Sequence, residues 1–179
     1  MRRTRNLVLT AVFGALAIAF SILRLQLPYL PLPYLKLDFA ELPVTLTLFL
    51  CGFKYAVAAE LLHFLGLLIR GSQPIDASMK LLAVLSMLVG LAIPVRGGFL
   101  ARLAVAAASR SLFMSLMNYI YFYVLFPNFL GYALKLAGSV EALFILTAIF
   151  NIIHVAVSAG STWLVYKEIE KRGILLQKA

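Results

Sequence analysis

The chain has 179 residues, 63% of them hydrophobic and 13% charged, with a formal net charge of +9 and a mean hydropathy of +0.99. A soluble domain is about half apolar and about a quarter charged, and a fold of this length has too little interior to hide the excess. In lipid the same excess is the solvent-facing surface, so the composition excludes a water-soluble domain and points to an all-α membrane protein.

The basic excess does not mark a nucleic-acid binder. Arg2, Arg3 and Arg5 precede the first apolar run, and Lys167, Lys171, Arg172 and Lys178 follow the last, as at the cytoplasmic ends of membrane helices. No exposed face interleaves basic and aromatic residues as such a binder would. Basic residues ahead of Leu7–Leu25 have the outline of a signal peptide, but the small-residue cleavage site is missing. The run is also long enough to span a bilayer. The lone cysteine, Cys51, rules out an intramolecular disulfide.

Taken in chain order, the first helix covers about 6–25. Pro28, Pro31 and Pro33 then interrupt helix formation, since each lacks an amide donor and restrains its predecessor. Residues 26–41 therefore read as an irregular loop. It is rich in Leu, Tyr and Phe, so it is expected to fold back over the bundle as a lid. Further helices are predicted over about 42–52, 55–69, 79–95, 99–126 and 140–166, with a loop at GSQPIDAS and another after Pro127-Asn128. Together they make one transmembrane domain over 1–179, a bundle of six spans, some of them short for a bilayer.

Six spans put both termini on one side. With both in the cytoplasm, 11 basic residues lie on the cytoplasmic side, Arg102 and Arg110 among them, and five outside: Arg24, Lys36, Arg70, Lys80 and Lys135. That asymmetry favours cytoplasmic termini. No internal repeat is visible, which argues against a transporter built from duplicated halves.

Ionisable groups at membrane depth mark function or buried pairs. Asp38 and Glu41 either cap the second helix or belong to a site under the aromatic loop. Glu60 and His63, three apart, share a helix face and form half of a di-iron carboxylate pattern. The second half is absent, because Asn151 and His154 have the spacing without the carboxylate. Asn151 and His154 are either interhelical hydrogen-bonding groups or the polar wall of a ligand pocket. Ala11, Ala15 and Ala19 form a smooth stripe on the first helix, suited to close packing within the bundle or against a partner. No nucleophile elbow, metalloprotease motif or phosphate loop occurs. Neither an enzymatic activity nor a cofactor is therefore expected, and the energy for any transport must come from another chain.

Three stretches then carry a resemblance. LKLDFAELP (Leu35–Pro43) is similar to an L-x-x-D-F-S-D-I-P signature, MNYIYFYVLFP (Met117–Pro127) to an Asn-Tyr segment, and FNIIHV (Phe150–Val155) to an F-N-x-x-K segment. In this order they resemble the S components of energy-coupling factor (ECF) vitamin transporters, specifically the riboflavin branch. The chain departs from that branch at His154, where the branch has lysine, and at Phe64, which follows His63 where the branch has a polar pair after its glutamate.

The resemblance implies a six-helix subunit that captures its vitamin from outside under a lid. It implies a plasma-membrane, multi-pass, prokaryotic protein working with a transmembrane coupling subunit and two ATPase subunits. It further implies substrate contacts from Leu37, Asp38, Phe39, Glu60, His63, Asn118, Tyr121, Asn151 and His154, and a coupling surface at Ala11, Ala15 and Ala19. Riboflavin is the expected substrate. Pantothenate, thiamine and folate are rivals on the same fold, and a membrane scaffold or small intramembrane enzyme is the rival from another class.

Overall fold

The computed structural model describes residues 2–173, so Lys178 of the basic C-terminal group lies outside the described residues. Among them are seven α-helices and one β-hairpin: α1 (Arg2–Ile22), β1 (Gln26–Tyr29), β2 (Leu32–Asp38), α2 (Glu41–Cys51), α3 (Phe53–Ile69), α4 (Pro74–Ala92), α5 (Gly98–Ile120), α6 (Pro127–Ala137) and α7 (Val140–Lys171). A π-helical turn, Tyr121–Leu125, continues α5.

Three expectations need correction. Residues 26–41 are not an irregular loop, because β1 and β2 pair antiparallel, Gln26 with Asp38, Leu27 with Leu37 and Pro28 with Lys36. Proline is barred from central strands by its missing donor, but a two-stranded ribbon has an open edge on each strand. Second, the stretch after Pro127 is not a loop. Pro127 sits in the first turn of α6, where its missing N–H costs nothing. The same effect starts α4 at Pro74 instead of 79. Third, α7 runs on to Lys171, past the expected 166, and at ~1.5 Å per residue it is about 48 Å long.

Four segments are long and apolar enough to cross a membrane: α1, α4, α5 with its π turn (Gly98–Leu125), and α7. Between them, α2 has 11 residues and α3 has 17. Gly52 makes the break, since its φ of 98° is a conformation that side chains resist.

The core lies where α2, α4, α5 and α7 meet, around Val44, Leu48, Val84, Met87, Leu88 and Val155. Helices α4 and α5 approach at Gly90, where an added Cβ would run into the backbone of Ala106. A second cluster, Leu32, Phe122, Ala133 and Leu143, pins the hairpin tip beneath α6. The outer surface is apolar, with Leu7, Ile69, Leu112, Leu116, Ile145 and Leu164 exposed, as lipid-facing helices require.

Candidate functional site

A cavity of about 580 Å³ opens at the end of the bundle that carries the hairpin. One wall is β2, through Tyr34, Leu35, Lys36 and Asp38. The others are the first half of α4, the second half of α5 with its π turn, α6 through Phe129, and the first half of α7. Tyr34, Tyr121, Phe122, Phe129 and Phe150 make the walls aromatic. Their packing is edge-on at Tyr34–Phe129 (5.1 Å between centroids) and stacked at Phe122–Phe129 (6.1 Å).

The floor is ionic but closed on itself. Arg110, 2% exposed, grips Glu41 with both ends of its guanidinium, Nη1 to Oε2 at 2.6 Å and Nη2 to Oε1 at 3.0 Å. Its Nε donates to Asn151 Oδ1 at 3.1 Å, and Nη2 also donates to His154 Nδ1 at 2.9 Å. Arginine can only donate, so Nδ1 accepts from it only with the ring proton on Nε2, whereas the Asp38 amide, a donor 3.1 Å from Nε2, needs that nitrogen unprotonated, so a neutral ring satisfies one of the two. Nε2 also lies 3.2 Å from Glu41 Oε1 and 3.4 Å from the Asp38 carbonyl oxygen.

Asp38 is fully engaged. Its Oδ1 accepts from the Ala40 amide at 2.8 Å, and its Oδ2 accepts from Gln26 Nε2 at 2.7 Å and pairs with Lys80. The carboxylate thus holds the amide of Ala40 just ahead of α2 and ties the hairpin to α4. Tyr121 donates to Asp76 at 3.3 Å. Arg70 donates to the Ser21 carbonyl and to Ser72 Oγ.

Two polar groups facing the cavity find no such partner. Asn118, 8% exposed, has no protein hydrogen-bond partner for its amide among the described residues. The Tyr34 hydroxyl is likewise buried and unpaired. Burial, with Tyr132 and Tyr121 nearby, pushes its pKa up to about 12, so it remains a phenol that can donate. Buried polar groups are nearly always paired, and these two line the cavity.

Of the expected substrate contacts, Asp38, Asn118, Tyr121, Asn151 and His154 line the cavity; Leu37, Phe39, Glu60 and His63 do not. Leu37 pairs with Leu27 on the opposite face of the ribbon. Phe39 lies past the strand, its amide donating to Leu25 O at 3.1 Å. Glu60 and His63 face α1: His63 Nδ1 is 3.2 Å from Glu60 Oε2 and its Nε2 is 2.8 Å from Ser21 Oγ. The stripe on α1 behaves differently from its neighbours. Thr10, Gly14, Ala17 and Ser21 are buried against the bundle, while Ala11 and Ala15 are exposed and Ala19 half-buried.

The residue that sequence reasoning misplaced is Arg110, which was assigned to the cytoplasmic flank. The sequence signal is an arginine near the middle of a long apolar helix, an ionisable group at membrane depth. Its partner Glu41 is likewise a floor group more than a helix cap.

The membrane helix bundle thus carries an aromatic-walled cavity beside the hairpin and an uncovered small-residue stripe on α1. The chain belongs to the family of ECF transporter substrate-specific components, whose family model matches residues 5–166. A solved structure of the S component of a bacterial ECF transporter shares the fold at a TM-score of 0.76 and 22% identity, covering 94% of this chain and 97% of that one. No curated protein sequence gave a significant match. Members of this family are substrate-binding transport subunits and not enzymes, and they associate with ECF membrane and ATPase subunits.

Proposed function

We propose that the cavity captures riboflavin from the outer side of a prokaryotic plasma membrane and that α1 hands the loaded subunit to the coupling subunit. The observation that carries the substrate is the Asn118 amide, buried beneath aromatic walls without a protein partner. A side-chain amide offers donors and an acceptor side by side, which suits the lactam and imide edge of a flavin ring. Aromatic faces suit its flat surface. A volume of about 580 Å³ falls within the range of roughly 300–1,000 Å³ usual for small-ligand sites.

The floor charges pair off internally, Arg110 with Glu41 and Lys80 with Asp38, so the floor itself favours an uncharged, hydrogen-bonding edge, while Lys36, Arg70 and Asp76 line the cavity above it. Support for the coupling role comes from Ala11 and Ala15, exposed on the helix whose other face packs in the bundle. Six spans with both termini in the cytoplasm would place the cavity outside, with Lys36, Arg70 and Lys80 around it, and would count α2 and α3 as short spans.

Absorption and fluorescence spectra of the purified protein, alone and with added riboflavin, test the substrate. Bound flavin with quenched emission is the expected result. A colourless protein that leaves riboflavin emission unchanged rejects the vitamin, and native mass spectrometry of the co-purified ligand then identifies the occupant.

A further inference from the structure

We propose that Arg110 is a positioning residue that decides which hydrogen-bonding polarity Asn151 shows the substrate. This rests on the reading of the cavity as the substrate site. The guanidinium has five N–H donors, and each has an acceptor inside the protein. Nε–H goes to Asn151 Oδ1 at 3.1 Å. Nη1 serves Glu41 Oε2 at 2.6 Å and Met87 Sδ at 3.8 Å, and Nη2 serves Glu41 Oε1 at 3.0 Å and His154 Nδ1 at 2.9 Å. No donor is left for a ligand, so this cation is not an anchor for an anionic substrate, although it lines the cavity.

What it does is orient an amide. Asn151 is 3% exposed and is held at both ends. Arg110 Nε can only donate, which assigns that end to Oδ1. Thr147 O can only accept, which assigns the other end to Nδ2, at 3.0 Å. The two assignments agree. A flipped amide would set N–H against the guanidinium and oxygen against a carbonyl, losing both bonds at once. One Nδ2 hydrogen remains for the cavity, while the oxygen is turned to Arg110. The substrate therefore presents an acceptor to Asn151, a carbonyl or an unprotonated ring nitrogen, and an analogue with an amino group at that position is rejected.

The test is a double-mutant cycle on riboflavin affinity, read by flavin fluorescence quenching with Arg110→Lys, Asn151→Ala and the pair. Lysine keeps a charge for Glu41 but cannot also hold the Asn151 oxygen. Arg110→Lys and Asn151→Ala are each expected to weaken binding about ten-fold or more, and the pair to bind within about two-fold of the weaker single variant, since residues acting through one another are non-additive. Additive losses, or unchanged affinity in Arg110→Lys, overturn the proposal. Should Arg110→Lys not be recovered folded, Glu41→Gln with Arg110→Met removes the donor without stranding a carboxylate, and the same cycle is read on that background.

A readout without ligand separates this proposal from the choice of vitamin. The side-chain amide signal of Asn151, identified by its loss in Asn151→Ala, is expected to shift in the nitrogen-15 spectrum of ligand-free Arg110→Lys and to stay in place in Lys167→Gln. If wild-type protein leaves riboflavin unquenched, the vitamin assignment falls and this signal alone decides the positioning role. An unmoved signal refutes it.

Discussion

Replacing Glu41 by glutamine changes one oxygen to an NH2 group, and the structure sets the cost. Both carboxylate oxygens receive Arg110, at 2.6 and 3.0 Å, and His154 Nε2 lies 3.2 Å from Oε1. Glu41 is 1% exposed and Arg110 2%, so water cannot take over the guanidinium. Glutamine turns an N–H toward an N–H and strands a buried positive charge, a type of loss worth about 3–5 kcal/mol. For a chain of this size ~2–4 °C of Tm accompanies each kcal/mol, so the melting temperature should fall by roughly 6–20 °C. The lone tryptophan, Trp163, packs 4.4 Å from Phe99 in a stacked pair and reports the melt by its emission in detergent. Combining Glu41→Gln with Arg110→Met removes both charges and should restore at least half of the loss. A single variant within about 1 kcal/mol of wild type, or a double variant less stable than the single, would refute the argument that this pair is a desolvated, mutually dependent unit.

Further outcomes follow from other contacts. Asn118→Ala should leave the Tm nearly unchanged, because the amide bonds nothing in the protein, yet weaken substrate binding by ~1–3 kcal/mol in isothermal titration. His63→Phe should leave affinity unchanged and lower the Tm, because it severs the contact to Ser21 Oγ and lies outside the cavity. Ala15→Leu, on the uncovered face of α1, should abolish uptake in whole cells with binding intact; loss of both would return the stripe to internal packing. Gly90→Val should destabilise strongly, since the new side chain meets the Ala106 backbone and not a movable side chain. At Gly66 an added Cβ would meet the β-branched Ile18 side chain, Cγ1 at 2.5 Å and Cδ1 at 2.8 Å, so this contact too is tight.

The bundle was legible because hydrophobic length is a local quantity: the apolar runs of α1, α5 and α7 and the break at Gly52 could be read without neighbours. Proline was harder. In sequence Pro28 and Pro127 read as breakers and Pro74 as part of a loop, yet Pro28 sits in a ribbon pair and the other two start helices, because the meaning of a missing N–H depends on whether the fold needed that donor. The spacing of Asn151 and His154 puts them on one face, and both line the cavity, as do Asp38, which sequence also reads as a helix cap, and Asn118, which the resemblance implies. What sequence alone could not decide was pairing. Arg110 and Glu41 are 69 residues apart, and only the crossing of α2 with α5 and α7 brings carboxylate, guanidinium, amide and imidazole within hydrogen-bond reach. Packing of α3 against α1 likewise turns His63 to Ser21, and neither His63 nor Glu60 lines the cavity. Local chemistry therefore determined which residues needed partners. The tertiary structure decided who the partners are, because a charge in an apolar bundle is satisfied by whatever the packing places beside it.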